Sequence, residues 1–175
     1  MKKFLIIVMS IILFGQTALA SGTYCKLDFS DGESDKQAGK ILYEYVLKEL
    51  NKTPEEAKDF ARIEPETVKA FEVDLNDDGE KEIVGMVYST LYLGTAGYSL
   101  FILQLQNGEY KNIAYVLNIE PQNELKILNA KTNGYRDIKL SGSVAYNFKP
   151  FIAKYKNGYY QNNDQTKSLE RKLQQ

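Results

Sequence analysis

The sequence predicts an α+β fold in which N-terminal helices pack on a mostly antiparallel β-sheet built from two turn-strand-hairpin units. Three observations predict it. Apolar residues recur at helical spacing between Lys36 and Leu50, the hydrophobic period drops to two after Thr67, and two stretches of the second half echo one another around Asp-Gly and Asn-Gly turns.

The chain opens with Lys2 and Lys3, an apolar run from Phe4 to Phe14, and the small-x-small pattern "ALA" at Ala18 to Ala20. That order is the pattern of a secretory signal peptide cleaved after Ala20, which predicts an exported protein, periplasmic or extracellular. The competing reading is a membrane anchor, but the apolar run is about half of the ~20 residues that a bilayer span takes. No membrane span is therefore expected in the mature chain. Residues 21–35 are polar and read as a flexible N-terminal segment, residues 36–162 as a single domain, and residues 163–175 as a polar C-terminal tail.

Within the domain, helices are expected over 36–62. Ala38, Ile41, Leu42, Tyr45, Val46 and Leu50 form one buried stripe of a first helix. "TPEE", starting at Thr53, joins a hydroxyl cap, a first-turn proline and a glutamate able to close a capping box, so a second short helix starts there. It directs Ala57 and Phe60 toward the core and stops before Pro65.

Two β units follow, over 67–117 and 124–161. Val68, Phe71 and Val73 lead into an acidic loop; Ile83 to Ser89 reads as a strand, and "YSLFILQLQNGEYKNIAYVL" as a hairpin turning at Asn107-Gly108. Further strands are expected over Glu124 to Leu128, Tyr135 to Leu140 and Phe148 to Tyr155, with a last turn at Asn157-Gly158. "DGEKEIV" aligns with "NGYRDIK" at an offset of 55, Asp78 on Asn133, and "LFILQLQNGEY" with "PFIAKYKNGYY" at an offset of 50. The echo predicts a duplicated β element.

Composition narrows the chemistry. The formal charge is −1, and removal of the leader, with two lysines and no acids, brings it to about −3. A weakly acidic, mixed surface predicts no nucleic-acid partner. There is no histidine, which excludes Ser-His-acid triads, Cys-His pairs and histidine-ligated zinc. The single cysteine, Cys25, excludes thiolate zinc clusters and internal disulfides, leaving a free thiol or an intermolecular link. What survives is carboxylate, tyrosine or lysine chemistry and oxygen-ligated metals. No pair of acids is set at the separation glycoside hydrolysis needs, so a carboxylate hydrolase is the weakest reading.

The densest chemistry is "VDLNDDGEKEIVG", Val73 to Gly85. Counted from Asp74, it offers side-chain oxygens at positions 1, 3 and 5 (Asp74, Asn76, Asp78), glycine at 6, a backbone carbonyl at 7 (Glu80) and a carboxylate at 9 (Glu82). Alternating oxygens and a glycine bend suit a hard cation wanting six to eight oxygens. Asp77 should point outward. Position 12 is Gly85 and a strand follows, so this is not an EF-hand.

The stretch resembles the calcium loops of FG-GAP and VCBS-type repeats of integrin-like β-propellers and exported bacterial proteins, with their D-x-[DN]-x-DG-x-x-[DE] pattern before a short apolar strand. The resemblance implies calcium bound by Asp74, Asn76, Asp78 and Glu82 and by the Glu80 carbonyl, in a structural role. The competing reading is a solvated Asp-Asp-Gly turn. In the second unit the aligned residues are Asn129, Lys131, Asn133, Gly134 and Asp137, with a lysine where a ligand should stand. That copy is expected to bind no metal, and Lys131 to neutralise Asp137.

The tyrosines read as strand packing, and Ser89 to Ser99 as the best candidate contact surface, through Tyr92 and Tyr98. The expectation is thus a non-enzymatic, exported calcium-binding module that contacts a protein or envelope component. The alternative is a proteinaceous inhibitor of an extracytoplasmic enzyme or toxin.

Overall fold

A computed structural model describes residues 22–30, 34–94, 97–114, 117–120, 124–141 and 149–162; the leader and the polar tail read from the sequence lie outside them. The segment read as flexible holds a strand, β1 (Thr23–Asp28), which turns Leu27 into the core. Helix α1 (Lys36–Leu50) is started by Asp35, whose carboxylate accepts the N–H groups of Gln37 at 2.8 Å and Ala38 at 3.1 Å. It ends where Asn51 turns left-handed. Helix α2 (Pro54–Ala61) carries a complete capping box between Thr53 and Glu56. Its inward positions are Ala57 and Ala61; Phe60, expected in the core, is 60% exposed under the ammonium of Lys52.

The strands that follow are β2 (Val68–Val73), β3 (Glu82–Val87), β4 (Leu93–Gly94), β5 (Gly97–Gln106), β6 (Glu109–Asn112) and β7 (Asn118–Ile119). Then come β8 (Glu124–Thr132), β9 (Tyr135–Leu140), β10 (Phe151–Lys156) and β11 (Tyr159–Gln161). They form two sheets. One is ordered β1-β8-β9-β10-β11; the other runs β2-β3-β5, with β4, β6 and β7 also paired to β5.

This corrects the predicted class. The fold is mostly antiparallel β, with strands taking 49% of the described residues against 23% in short helices, and the strands are divided between two sheets instead of forming one. The physical reason is that each echoing stretch closes on itself: β2-β3-β5-β6 and β8-β9-β10-β11 are both four-strand antiparallel meanders. In both, the last hairpin turns on Asn-Gly with two positive φ angles, 54° and 82° at Asn107-Gly108, 54° and 86° at Asn157-Gly158. That is the geometry of a two-residue hairpin matched to strand twist.

Two apolar clusters hold these parts. One lies between the sheets, joining Val84, Met86 and Ile102 to Leu125, Ile127 and Ile138. The other joins Ala38, Leu42 and Val46 of α1 to Val68, Ala70, Ile83 and Phe101. Strand β3 contributes to both and is buried at every residue. Alternate side chains of one strand point to opposite faces, so β3 supplies each cluster in turn.

At the middle of β3, Gly85 pairs with Ala70 on one side and Phe101 on the other. A Cβ there would stand 2.6 Å from Leu42 Cδ2 and 2.7 Å from both Ala70 Cβ and the Lys69 carbonyl oxygen. Since one of those atoms is backbone, the sheet itself would have to shift. We expect Gly85→Ala to cost roughly 1–3 kcal/mol through overpacking, read as a lower urea midpoint. An unchanged midpoint would show that the contact relaxes freely.

Candidate functional site

The candidate metal residues sit where β2 and β3 part. Val73 pairs with Glu82, and residues 74–81 make an open loop. The corresponding end of the second unit behaves differently. After a register shift between Ile127 and Lys131, β8 and β9 pair up to Lys131 with Arg136 and Thr132 with Tyr135, leaving only Asn133-Gly134 as the turn. Asn129 and Lys131 therefore lie within a strand, and the second copy has no loop to hold a cation.

The open loop is organised by its own side chains. Asp74 accepts the N–H of Asp77 at 2.6 Å and that of Gly79 at 3.1 Å, one on each oxygen. Asn76 Oδ1 accepts the Asp78 N–H at 3.0 Å, and Asp78 Oδ1 accepts the Glu80 N–H at 2.8 Å. The Asn76 amide nitrogen donates to Asp78 Oδ2 at 2.6 Å. These are Asx-type turns, in which short polar side chains satisfy backbone donors two to five residues on. Gly79, at φ 88°, supplies the bend. Asp74, Asn76 and Asp78 are thus brought together, with Asp78 and Glu80 both exposed.

Glu82 stands apart from them, only 2% exposed. Its carboxylate accepts the Leu75 N–H at 2.9 Å and the Gln104 side-chain amide at 3.1 Å, and that amide also donates to the Tyr135 hydroxyl at 2.5 Å. Burial pushes the Glu82 carboxyl above its ordinary range, and the charge of Asp78 adds to the effect.

The basic side chains divide these acids. Lys131 pairs with Asp77 and also donates to the Asn76 carbonyl at 3.3 Å; Arg136 donates to Asp77 at 2.7 Å. Chiefly through the Lys131 hydrogen bond, the Asp77 carboxyl is held below its usual range. Among the described residues no lysine or arginine pairs with Asp74, Asp78 or Glu82. Asp77 is therefore the anchor of the loop on the second sheet. Lys131 turns to it and not to Asp137, whose partner is Lys154 at 3.3 Å.

Arg136 does more than pair. Its guanidinium lies 3.7 Å from the Tyr24 ring centre, its N–H donates to the Leu75 carbonyl at 2.7 Å, and its own carbonyl accepts the Tyr160 hydroxyl at 2.9 Å. Sequence reasoning missed Arg136, Gln104 and Tyr24, which carry no signal of their own. Lys131 did carry one, being the residue that the offset of 55 places on Asn76.

As a donor set, the loop offers only oxygens, and each carboxylate oxygen that takes one N–H keeps a second lone pair. That chemistry fits a hard cation. Among the described residues no group of three or more Asp, Glu, Cys or His is assembled to hold a metal ion.

In the segment from Ser89, Tyr92 packs edge-on against Phe101 and Tyr98 against Tyr88, so neither is the free contact expected of it. Among the described residues of the segment, the exposed large apolar side chains are Leu91 and Leu93, on a turn fixed by the Ser89 hydroxyl, which donates to the Ala61 carbonyl at 2.6 Å. No helix among the described residues is long and apolar enough to cross a membrane. Comparisons with protein-family models, with curated proteins and with solved structures find no match to this chain.

Two outcomes follow from this geometry. Glu82 binds a proton more tightly folded than unfolded, so its contribution to stability is absent above its raised pKa and grows as pH falls from there toward 4.5, the ordinary value. In chelator, Glu82→Gln should remove that gain from melting curves recorded between pH 8 and pH 5; curves parallel to wild type would refute it. Asp77 acts in the opposite sense and lower down: its folded pKa is depressed, so its contribution is full above the unfolded value and is lost as pH falls through the folded one. At neutral pH, adding Lys131→Gln to Asp77→Asn should lower the melting temperature no further, whereas additive losses would mean that the two side chains act independently.

Proposed function

We propose that the chain is an exported, non-enzymatic binding module of FG-GAP/VCBS-like character, stabilised by one calcium ion and acting through surface contacts with a protein or envelope component. The ion would be held by Asp74, Asn76, Asp78 and Glu82 with the Glu80 carbonyl, and when bound it supplies charge neutralisation and a rigid link between β2 and β3. One observation carries the reading. The protein neutralises Asp77 twice, through Lys131 and Arg136, yet leaves the three acids at the alternating positions without a cationic partner among the described residues. A loop built only as a turn gains nothing from that division. The paired hairpin end of the second unit supports the same reading, because it shows the meander closing with no acidic loop at all.

A second reading, inhibition of an extracytoplasmic enzyme or toxin, is favoured by Leu91 and Leu93. They are 44% and 49% exposed on a turn whose neighbours Ser89 and Tyr92 are fixed. Apolar side chains held out on a rigid support suit insertion into a partner's cleft.

Thermal melting decides the calcium reading. Extracellular modules bind at Kd values of about 10⁻⁴ to 10⁻³ M, so ~2 mM calcium should stabilise by about 0.6–1.8 kcal/mol. For a domain of this size that is a rise of roughly 1–7 °C over chelator. Asp78→Asn keeps the acceptor for the Glu80 N–H but turns the oxygen that accepts the Asn76 amide into a donor, so it should melt somewhat lower in chelator and lose most of the rise that calcium gives. Superimposed curves for the wild type in calcium and chelator would end the proposal.

A further inference from the structure

A groove of about 270 Å³ lies between α1 and the β5–β6 hairpin, and no residue of the acidic loop lines it. Ile41, Glu44, Tyr45 and Lys48 line it from the helix, and Glu109 and Tyr110 from the hairpin. The helical residues follow at intervals of three, one and three, which puts them on one flank of α1, beside the stripe of Leu42 and Val46 that enters the core. Across the turn, Tyr110 pairs directly with Leu105, which is 44% exposed. The groove therefore combines an aliphatic and aromatic lining with carboxylates.

Its size sets the scale of the occupant. Small-molecule pockets usually enclose about 300–1,000 Å³, so this groove suits a group no larger than one long side chain. Its chemistry sets the kind. Tyrosine faces attract cations through the ring quadrupole, and carboxylates complete the recognition of an ammonium group. The carboxylate half of that recognition is present in the protein itself: Lys48 places its ammonium 3.1 Å from Glu109 Oε1. Glu44 is held only loosely, by Lys40 at 3.8 Å. Burial raises the phenol pKa values of both tyrosines, with smaller contributions from Glu49 at Tyr45 and from Glu72 and Glu80 at Tyr110.

We infer that this groove binds an alkylammonium group, its methylene stem along Ile41 and the two tyrosine rings and its charge between Glu44 and Glu109, with Lys48 as the resident competitor. A lysine side chain of a partner protein and a free alkyl diamine share that chemistry. The site deepens the surface-contact reading above without depending on the calcium loop.

The test is an NMR titration of ¹⁵N-labelled protein, in chelator, with 1,5-diaminopentane, with a short lysine-containing peptide, and with 1-pentanol as the uncharged control. Both amines should shift the amides of Ile41, Tyr45 and Tyr110, and pentanol should not. A tighter peptide assigns a protein partner, and equal affinities assign the free amine; both uphold the site. Glu44→Gln with Glu109→Gln, at solvent-exposed positions whose melting curve verifies folding, should weaken amine binding tenfold or more, and Lys48→Gln should tighten it severalfold. Absent shifts, equal shifts with pentanol, or binding indifferent to the glutamine pair would overturn the inference.

Discussion

Strand β3 is covered on both faces, and most of the molecule is arranged around that constraint. Ile83 and Val87 point into the cluster shared with α1, while Val84 and Met86 point into the cluster between the sheets. A strand in that position can carry no exposed face, so its sequence is a continuous apolar run. Where the helix passes closest, the strand must give up its side chain altogether, at Gly85. Where the run begins, at Glu82, a carboxylate is drawn inside and held by a backbone N–H and an amide instead of water. Burial of an ion is costly unless its lone pairs are used, which is why both oxygens are hydrogen-bonded. The acidic loop is the solvent-facing continuation of this buried strand end.

The two meanders show one topology put to two electrostatic uses. In the second unit the strands stay paired almost to the turn, and the last cross-strand pair but one, Lys131 and Arg136, presents two positive charges side by side. Like charges directly opposite one another on a sheet repel, and here a single carboxylate from the other sheet relieves them. Asp77 is thus best understood as belonging to the second sheet's chemistry, although it is covalently part of the first sheet's loop. The contact is reinforced by the Arg136 N–H on the Leu75 carbonyl, so the join between the sheets has backbone as well as charge in it.

How far this could be read in advance depended on how local each signal was. Thr53 and Asn107-Gly108 act on their immediate neighbours, and the cap and hairpin they specify are both present. The echo between the halves was legible because hairpin geometry demands particular residues at particular places. Whether two similar stretches share one sheet or make two is decided by side-chain packing between distant strands, which no local pattern records. That is why the expected single sheet with helices was wrong. The same limit explains Phe60, whose helical spacing was right but whose inward place is filled by alanines, and Tyr92 and Tyr98, which found aromatic partners. In the candidate site, Asp74, Asn76 and Asp78 were recognisable as parts of one loop because such side chains cap backbone N–H groups only a few residues on. Arg136 and Gln104 were not, since their roles exist only once the two sheets meet.

The pairing of β1 with β8 has a consequence in time. Thr23 lies opposite Leu128, with the whole first meander between them. A chain that emerges from its N-terminus, whether from a ribosome or through a translocation pore, shows β1 long before any partner strand exists. The first meander can form from neighbouring segments, but its inter-sheet face stays bare until β8 and β9 arrive, and Tyr160 joins Ile113 only near the end. Such late, long-range closure folds slowly and leaves an open sheet face during the wait. A cell making this protein must either keep the unfinished chain extended or keep its neighbours away from it.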